Sequence, residues 1–209
     1  MRFSGAATSL WSTSAAAILI YLIANMLCFA SSTFYHVFAD HTEAGFWLRL
    51  DHLGIVCAIW ASSVSFIALS LGCHTGEKYV YMSFVTASAA VSFQRIFGNQ
   101  QHSRLERRSR ITTYAIFGSV AAIPAFRCWY LDEGFRLIAA FGTMAIINTS
   151  GGTVYATRLL DQAIGMKLGL PDVSHLTMHV LAVAGAMVYE RGLMLAYQES
   201  SSKGLTLGP

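Results

Sequence analysis

Two histidines, His175 and His179, stand one helical turn apart at the start of the last apolar segment of the chain, VSHLTMHVLAVAGAMVY. Ser32 and His36 repeat that spacing at the end of the first apolar segment, and Asp51 opens the second. Residues at i and i+4 share one helix face, so each pair can point at a common spot. Imidazole, carboxylate and hydroxyl groups are costly at membrane depth unless they find partners. Their gathering at the ends of apolar helices therefore points to a buried metal site.

Three histidines, His36, His175 and His179, with one open position make a catalytic type of zinc site. Neutral imidazole binds at about 2.0–2.1 Å and a water completes the tetrahedron. Zinc lowers the pKa of such a water to about 7, which supplies hydroxide at neutral pH. Asp51 would accept the water's proton or orient it, and Ser32 would donate a hydrogen bond to a ligand or to a substrate carbonyl.

Each residue also has a plainer reading. A lone His36 at a helix end is commonly an interfacial, hydrogen-bonded histidine, and Asp51 alone would pair with Arg49 or cap the second helix. Haem would need one axial histidine from each of two facing helices, and a pair one turn apart on one helix suits a small tetrahedral ion better. Iron or copper would also accept imidazoles. His41, His74 and His102 fall in predicted loops and His52 lies about 100° around the helix from Asp51, so none of the four is expected to bind the metal.

The elements that must carry these residues are membrane helices. The 209 residues are 55% hydrophobic and only 12% charged, with a mean hydropathy of +0.50, too little charge to cover a soluble globule of this size. The expected partner is the lipid bilayer. A net charge of +3 with its basic residues spread over loops gives no nucleic-acid footprint.

A span needs roughly 20 apolar residues, and six stretches meet or approach this. They run from Ser14 to Phe38, Leu50 to Leu71, Tyr79 to Phe97, Ile111 to Phe126, Leu137 to Thr157 and Val173 to Tyr197. The expectation is an all-α, polytopic transmembrane bundle in one domain over residues 14–197, with an N-terminal segment 1–13 and a short tail 198–209. Pro124 should kink or end the fourth helix. Small residues, Gly142, Gly151 and Gly152 in the fifth helix and Ala182, Gly185 and Ala186 in the sixth, suit close helix packing.

Arg104, Arg107, Arg108 and Arg110, opposed only by Glu106, mark the loop from Asn99 to Arg110 as cytoplasmic. Alternation then brings His36, Asp51, His175 and His179 to similar depth near the inner leaflet, and places both chain ends outside. Arg2 with the run from Ala15 to Ala30 imitates a secretory signal peptide, but the apolar run continues to Phe38 and carries Ser32 and His36. Cys28, Cys57, Cys73 and Cys128 form no C-x-x-C pair and read as small apolar packing residues.

Ser32-x3-His36, followed by His41-Thr42-Glu43 and then Leu50-Asp51-His52-Leu53-Gly54-Ile55, resembles the progestin and adipoQ receptor, or haemolysin III-related, family. Gly151-Gly152-Thr153-Val154-Tyr155-Ala156-Thr157-Arg158 is similar to the family's G-A-x-x-Y-A-x-R stretch, and Ser174-His175-x3-His179-Val180 to its S-H-x3-H-V signature. The likeness covers roughly Ala30 to Tyr189, and the adiponectin receptor branch matches more closely around Asp51.

The resemblance implies a seven-helix fold, a zinc ion held by His36, His175 and His179 near the cytoplasmic face, Asp51 contacting the zinc-bound water and Ser32 beside it. Through alkaline ceramidases in the wider superfamily, it implies amide hydrolysis of a ceramide-like lipid. Two departures stand out. The chain begins where the family's second helix would, so six helices are expected here. The family's R-x-P-E is here Arg158-Leu159-Leu160-Asp161. The alternatives to an enzyme are a receptor with a structural zinc, its protein ligand unspecified, and an N-terminally truncated inactive form.

Overall fold

A computed structural model describes residues 4–71, 74–98, 104–131, 135–165 and 172–206. Among them are six long helices: α1 (Ser4–Val37), α2 (Ala44–Ser70), α3 (Thr75–Gly98), α4 (Arg104–Tyr130), α5 (Phe135–Thr157) and α6 (Val173–Thr206). A single π-helical turn, Asp161–Gly165, follows α5. Cys73 and His102 lie outside the described residues.

The architecture is the expected all-α bundle, and its long apolar helices make the protein an integral, multi-pass membrane protein. Among the described residues, five helices are long and apolar enough to cross a bilayer; α3 is not one of them. Its 24 residues suffice in length, but Ser83, Thr86, Ser88, Ser92 and Gln94 dilute its apolar character. It packs instead on α2 and α4.

Several helix ends differ from the expected spans. Helix α1 begins at Ser4, α4 begins at Arg104 and α6 continues to Thr206. Helices need apolar side chains only within the hydrocarbon; beyond it, good helix formers such as Ala, Leu, Glu and Arg continue the backbone ladder in water. The basic run from Arg104 to Arg110 is thus the opening of a helix and not a loop. Nor does Pro124 end α4, which runs on to Tyr130. The Ser63 hydroxyl of α2 donates to the Ala121 carbonyl at 2.9 Å, in the turn that Pro124 loosens. Such side-chain donors are how membrane helices tolerate proline.

Helix α2 is the hub and contacts each of the other five long helices. Its most apolar stretch is 56% buried, against 17–28% for the four other spanning helices. Those peripheral helices turn Leu19, Met26, Ile146 and Met187 outward, where lipid is the natural solvent. The packed interior centres on Tyr21, Phe66, Phe141 and Tyr189. The Tyr21 and Tyr189 rings meet edge to face at 5.1 Å. Tyr21 donates to the Ala186 carbonyl at 2.9 Å and Tyr189 to the Ser62 carbonyl at 3.0 Å, which ties α1 to α6 and α6 to α2. Tyr189→Phe should lower stability by about 1 kcal/mol, the usual worth of a buried interhelical hydrogen bond, as read from thermal unfolding in detergent.

Two glycines let helices approach where no small-residue pattern announced it. A Cβ on Gly54 would stand 2.8 Å from the Cys28 Cα, and one on Gly192 would overlap the Ala140 Cβ. Gly151 and Gly185 are close-packed as expected, against Leu181 and Asn148 respectively, whereas Gly142 and Gly152 face open space. Gly54→Val should push α1 off α2, costing about 1–3 kcal/mol from overpacking. Thermal unfolding should show the loss, and Gly142→Val should leave the melting curve near wild type.

Candidate metal centre

Three elements bring the chemistry-bearing side chains to one end of the bundle. Helix α1 finishes at Val37, and a tight turn returns the chain as α2, with Phe46 and Trp47 both bonding back to the Glu43 carbonyl. An aromatic clasp fixes this hairpin. Trp47 packs against Phe34 at 5.0 Å and Phe38 at 5.4 Å between ring centroids. His36 is thereby held at the end of α1 while Asp51 sits in the second turn of α2. Helix α6 starts at Val173 and presents His175 and His179 on one face from its first two turns.

The three imidazoles converge. His36 Nε2 lies 3.3 Å from His179 Nε2, and His179 Nε2 lies 3.0 Å from His175 Nε2. All three donor atoms fall within 4.8 Å of one another. Four ligands at about 2.0–2.1 Å around a tetrahedral ion are separated by about 3.3 Å. The separations of 3.3 and 3.0 Å lie close to that edge length, and a set of neutral nitrogen donors suits zinc. His36 is exposed while His175 and His179 are half-buried, so the cluster is open on the α1 side.

Asp51 and Ser32 are both buried, 8% and 7% exposed. Their side chains sit together, and His36 is within electrostatic range of the Asp51 carboxylate. A buried carboxylate beside a hydroxyl, next to a cluster of nitrogen donors, is chemically equipped to accept or hold a proton.

Among the described residues, the other histidines stand apart from the cluster. His41 is in the α1–α2 turn, where its ring accepts from the Glu43 N–H. His74 is at the far end of the bundle, preceding α3. His52 packs against Tyr114 of α4, ring centroids 6.1 Å apart. Cys28, Cys57 and Cys128 stand outside any disulfide, and Cys28 and Cys128 are buried.

The sequence reading missed Tyr155 as a neighbour of the site. Its ring lies 5.1 Å from that of His175 and so braces the first ligand-type imidazole from α5. Tyr155 and His175 stand on different helices, so no helical periodicity could have linked them.

The sequence profile of proteins described as haemolysin-III related matches residues 2–189. The chain belongs to the haemolysin-III related family. Among curated members of similar sequence, heptahelical transmembrane protein 3 of Arabidopsis thaliana is 27% identical over 179 residues, covering 82% of this chain and 52% of its own. Heptahelical transmembrane protein ADIPOR3 of Oryza sativa subsp. japonica is 29% identical, over 81% of this chain and 44% of its own. The adiponectin receptor protein of Drosophila melanogaster is 25% identical, over 83% and 40% respectively. This haemolysin-III related chain thus spans about half the length of the curated relatives it matches, or somewhat less.

Proposed function

We propose that the protein is a zinc-dependent hydrolase of a ceramide-like lipid amide, with His36, His175 and His179 as the metal ligands. The observation that carries this reading is the gathering of three imidazoles, with His179 Nε2 3.3 Å from that of His36 and 3.0 Å from that of His175, beside the buried Asp51–Ser32 pair. A zinc ion bound there supplies Lewis acidity and brings the pKa of a water down to about 7.

The chain's own groups do the rest. Asp51 takes the proton from the attacking water and returns it to the amide nitrogen as the C–N bond breaks, giving a fatty acid and a free amine. Ser32, packed on the Asp51 carboxylate, keeps that carboxylate directed at the site. The exposed side of His36 leaves room for a lipid amide to enter from the bilayer between helix ends, near the inner leaflet. The test is metal-dependent release of fatty acid from a short-chain ceramide by purified protein; a zinc-loaded sample with no turnover rejects the enzymatic reading.

A second reading has its own support. The cluster joins α1 to α6, helices that are also tied by the Tyr21–Ala186 hydrogen bond and the Tyr21–Tyr189 ring contact. A metal there would stabilise the fold outright by its binding free energy. In that case the protein is a receptor with a structural zinc, in keeping with the name of the Drosophila relative, adiponectin receptor protein. Chelation would then lower the melting temperature, and no substrate would be turned over.

A further inference from the structure

The segment between α5 and α6 holds a second polar constellation that the metal reading does not use. Helix α5 is closed by Arg158 in the left-handed region at φ 53°, and α6 is preceded by Asp172 at φ 54°. Left-handed backbone at non-glycine residues is uncommon and persists only where surrounding contacts fix it. Those contacts are present. Asp161 Oδ1 accepts the Ser174 N–H at 2.9 Å, and Ser174 Oγ accepts the Asp161 N–H at 3.2 Å. Arg158 Nε donates to Asp161 Oδ2 at 3.1 Å, and its Nη2 lies 3.7 Å from Asp172 Oδ1.

The Ser174 N–H is one of the donors that the first turn of α6 cannot satisfy within the helix. A helix normally caps these from the residue just ahead of it; here the carboxylate comes from the preceding π-helical turn. Ser174 is 1% exposed, so the contact is shielded. The next residue is His175.

We propose that Asp161 is a positioning residue for His175: by gripping the Ser174 backbone it fixes the rotation and height of the first turn of α6, and hence the direction of the imidazole. Tyr155 holds the ring from one side and the Asp161 clasp holds its backbone from below. Arg158 orients Asp161 in turn, so the run Arg158-Leu159-Leu160-Asp161 acts through its two ends. The Ser174 N–H also holds the Asp161 carboxyl below the usual carboxylate range. The clasp is therefore complete above the ordinary carboxylate pKa of about 3.9 and is lost only as pH falls through the lowered value.

The inference rests on the metal reading, and one set of measurements separates the two. Zinc affinity is measured by competition with a chromogenic chelator, coordination by the ligand-field spectrum of the cobalt(II) form, and fold by thermal unfolding of the metal-free protein. Asp161→Ala should weaken zinc binding about 10- to 100-fold, the usual penalty for losing a partner that orients a ligand, and should alter the cobalt spectrum. Asp161→Asn keeps an oxygen for the Ser174 N–H and should stay near wild type in both. If Asp161→Ala does not fold, Ser174→Ala carries the test by deleting the other half of the clasp, and weaker zinc binding is again expected. Zinc binding in Asp161→Ala or Ser174→Ala equal to wild type, or Asp161→Asn as weak as Asp161→Ala, overturns the positioning role. A wild-type protein that binds no zinc overturns the metal reading itself, and the positioning role with it.

Discussion

Purified His179→Ala protein should carry no zinc under conditions where wild type carries about one ion per chain. His179 is the middle member of the cluster, its Nε2 being 3.3 Å from His36 and 3.0 Å from His175. Removing it leaves two nitrogens contributed by different helices, and two ligands do not hold zinc against solvent. The structural consequence should be large as well. Structural zinc in small domains contributes about 10–16 kcal/mol of apparent binding free energy, and whatever part α1 and α6 derive from a shared ion disappears. Elemental analysis and a melting curve on the same samples read both effects. His52→Ala is the control, since His52 packs against Tyr114 and is no part of the cluster; it should retain the metal.

The second large effect concerns Asp51. Asp51→Asn preserves shape and hydrogen-bonding capacity but cannot accept a proton at neutral pH. If Asp51 is the general base, release of fatty acid should fall about 10²- to 10⁴-fold, while zinc content stays at the wild-type level. Loss of activity together with loss of metal would instead make Asp51 part of the binding site. Ser32→Ala should have a smaller effect on rate, since its hydroxyl acts through the Asp51 carboxylate.

Much of this arrangement is legible in the chain because membrane burial writes a plain code. Six apolar runs became six long helices, and the i, i+4 pair of His175 and His179 could only share a face. Equal depth of His36, Asp51 and the α6 histidines followed from alternation across the bilayer. What stayed hidden depends on three-dimensional neighbours. Gly54 and Gly192 look like any helical glycine, and only the close approach of Cys28 and Ala140 gives them meaning. Pro124 reads as a breaker because propensity cannot see the Ser63 hydroxyl arriving from another helix. The helix ends at Ser4 and Thr206 lie beyond the apolar pattern that hydropathy detects.

The segment Arg158-Leu159-Leu160-Asp161 shows the same limit from the other direction. As a motif it departs from the family's R-x-P-E, which suggested an altered loop. In three dimensions Arg158 and Asp161 pair directly, and the carboxylate reaches on to the backbone of α6. The Asp161 side chain closes the contact because the π-helical turn carries its backbone up to Ser174.

The measurement that bears most directly on the central claim is X-ray absorption at the zinc edge on detergent-purified wild-type protein. Three imidazole nitrogens and one oxygen at about 2.0–2.1 Å are expected, with the imidazole scattering diminished in His36→Ala. A shell of sulfur at about 2.3 Å, a shell unchanged by His36→Ala, or the absence of zinc would contradict the account.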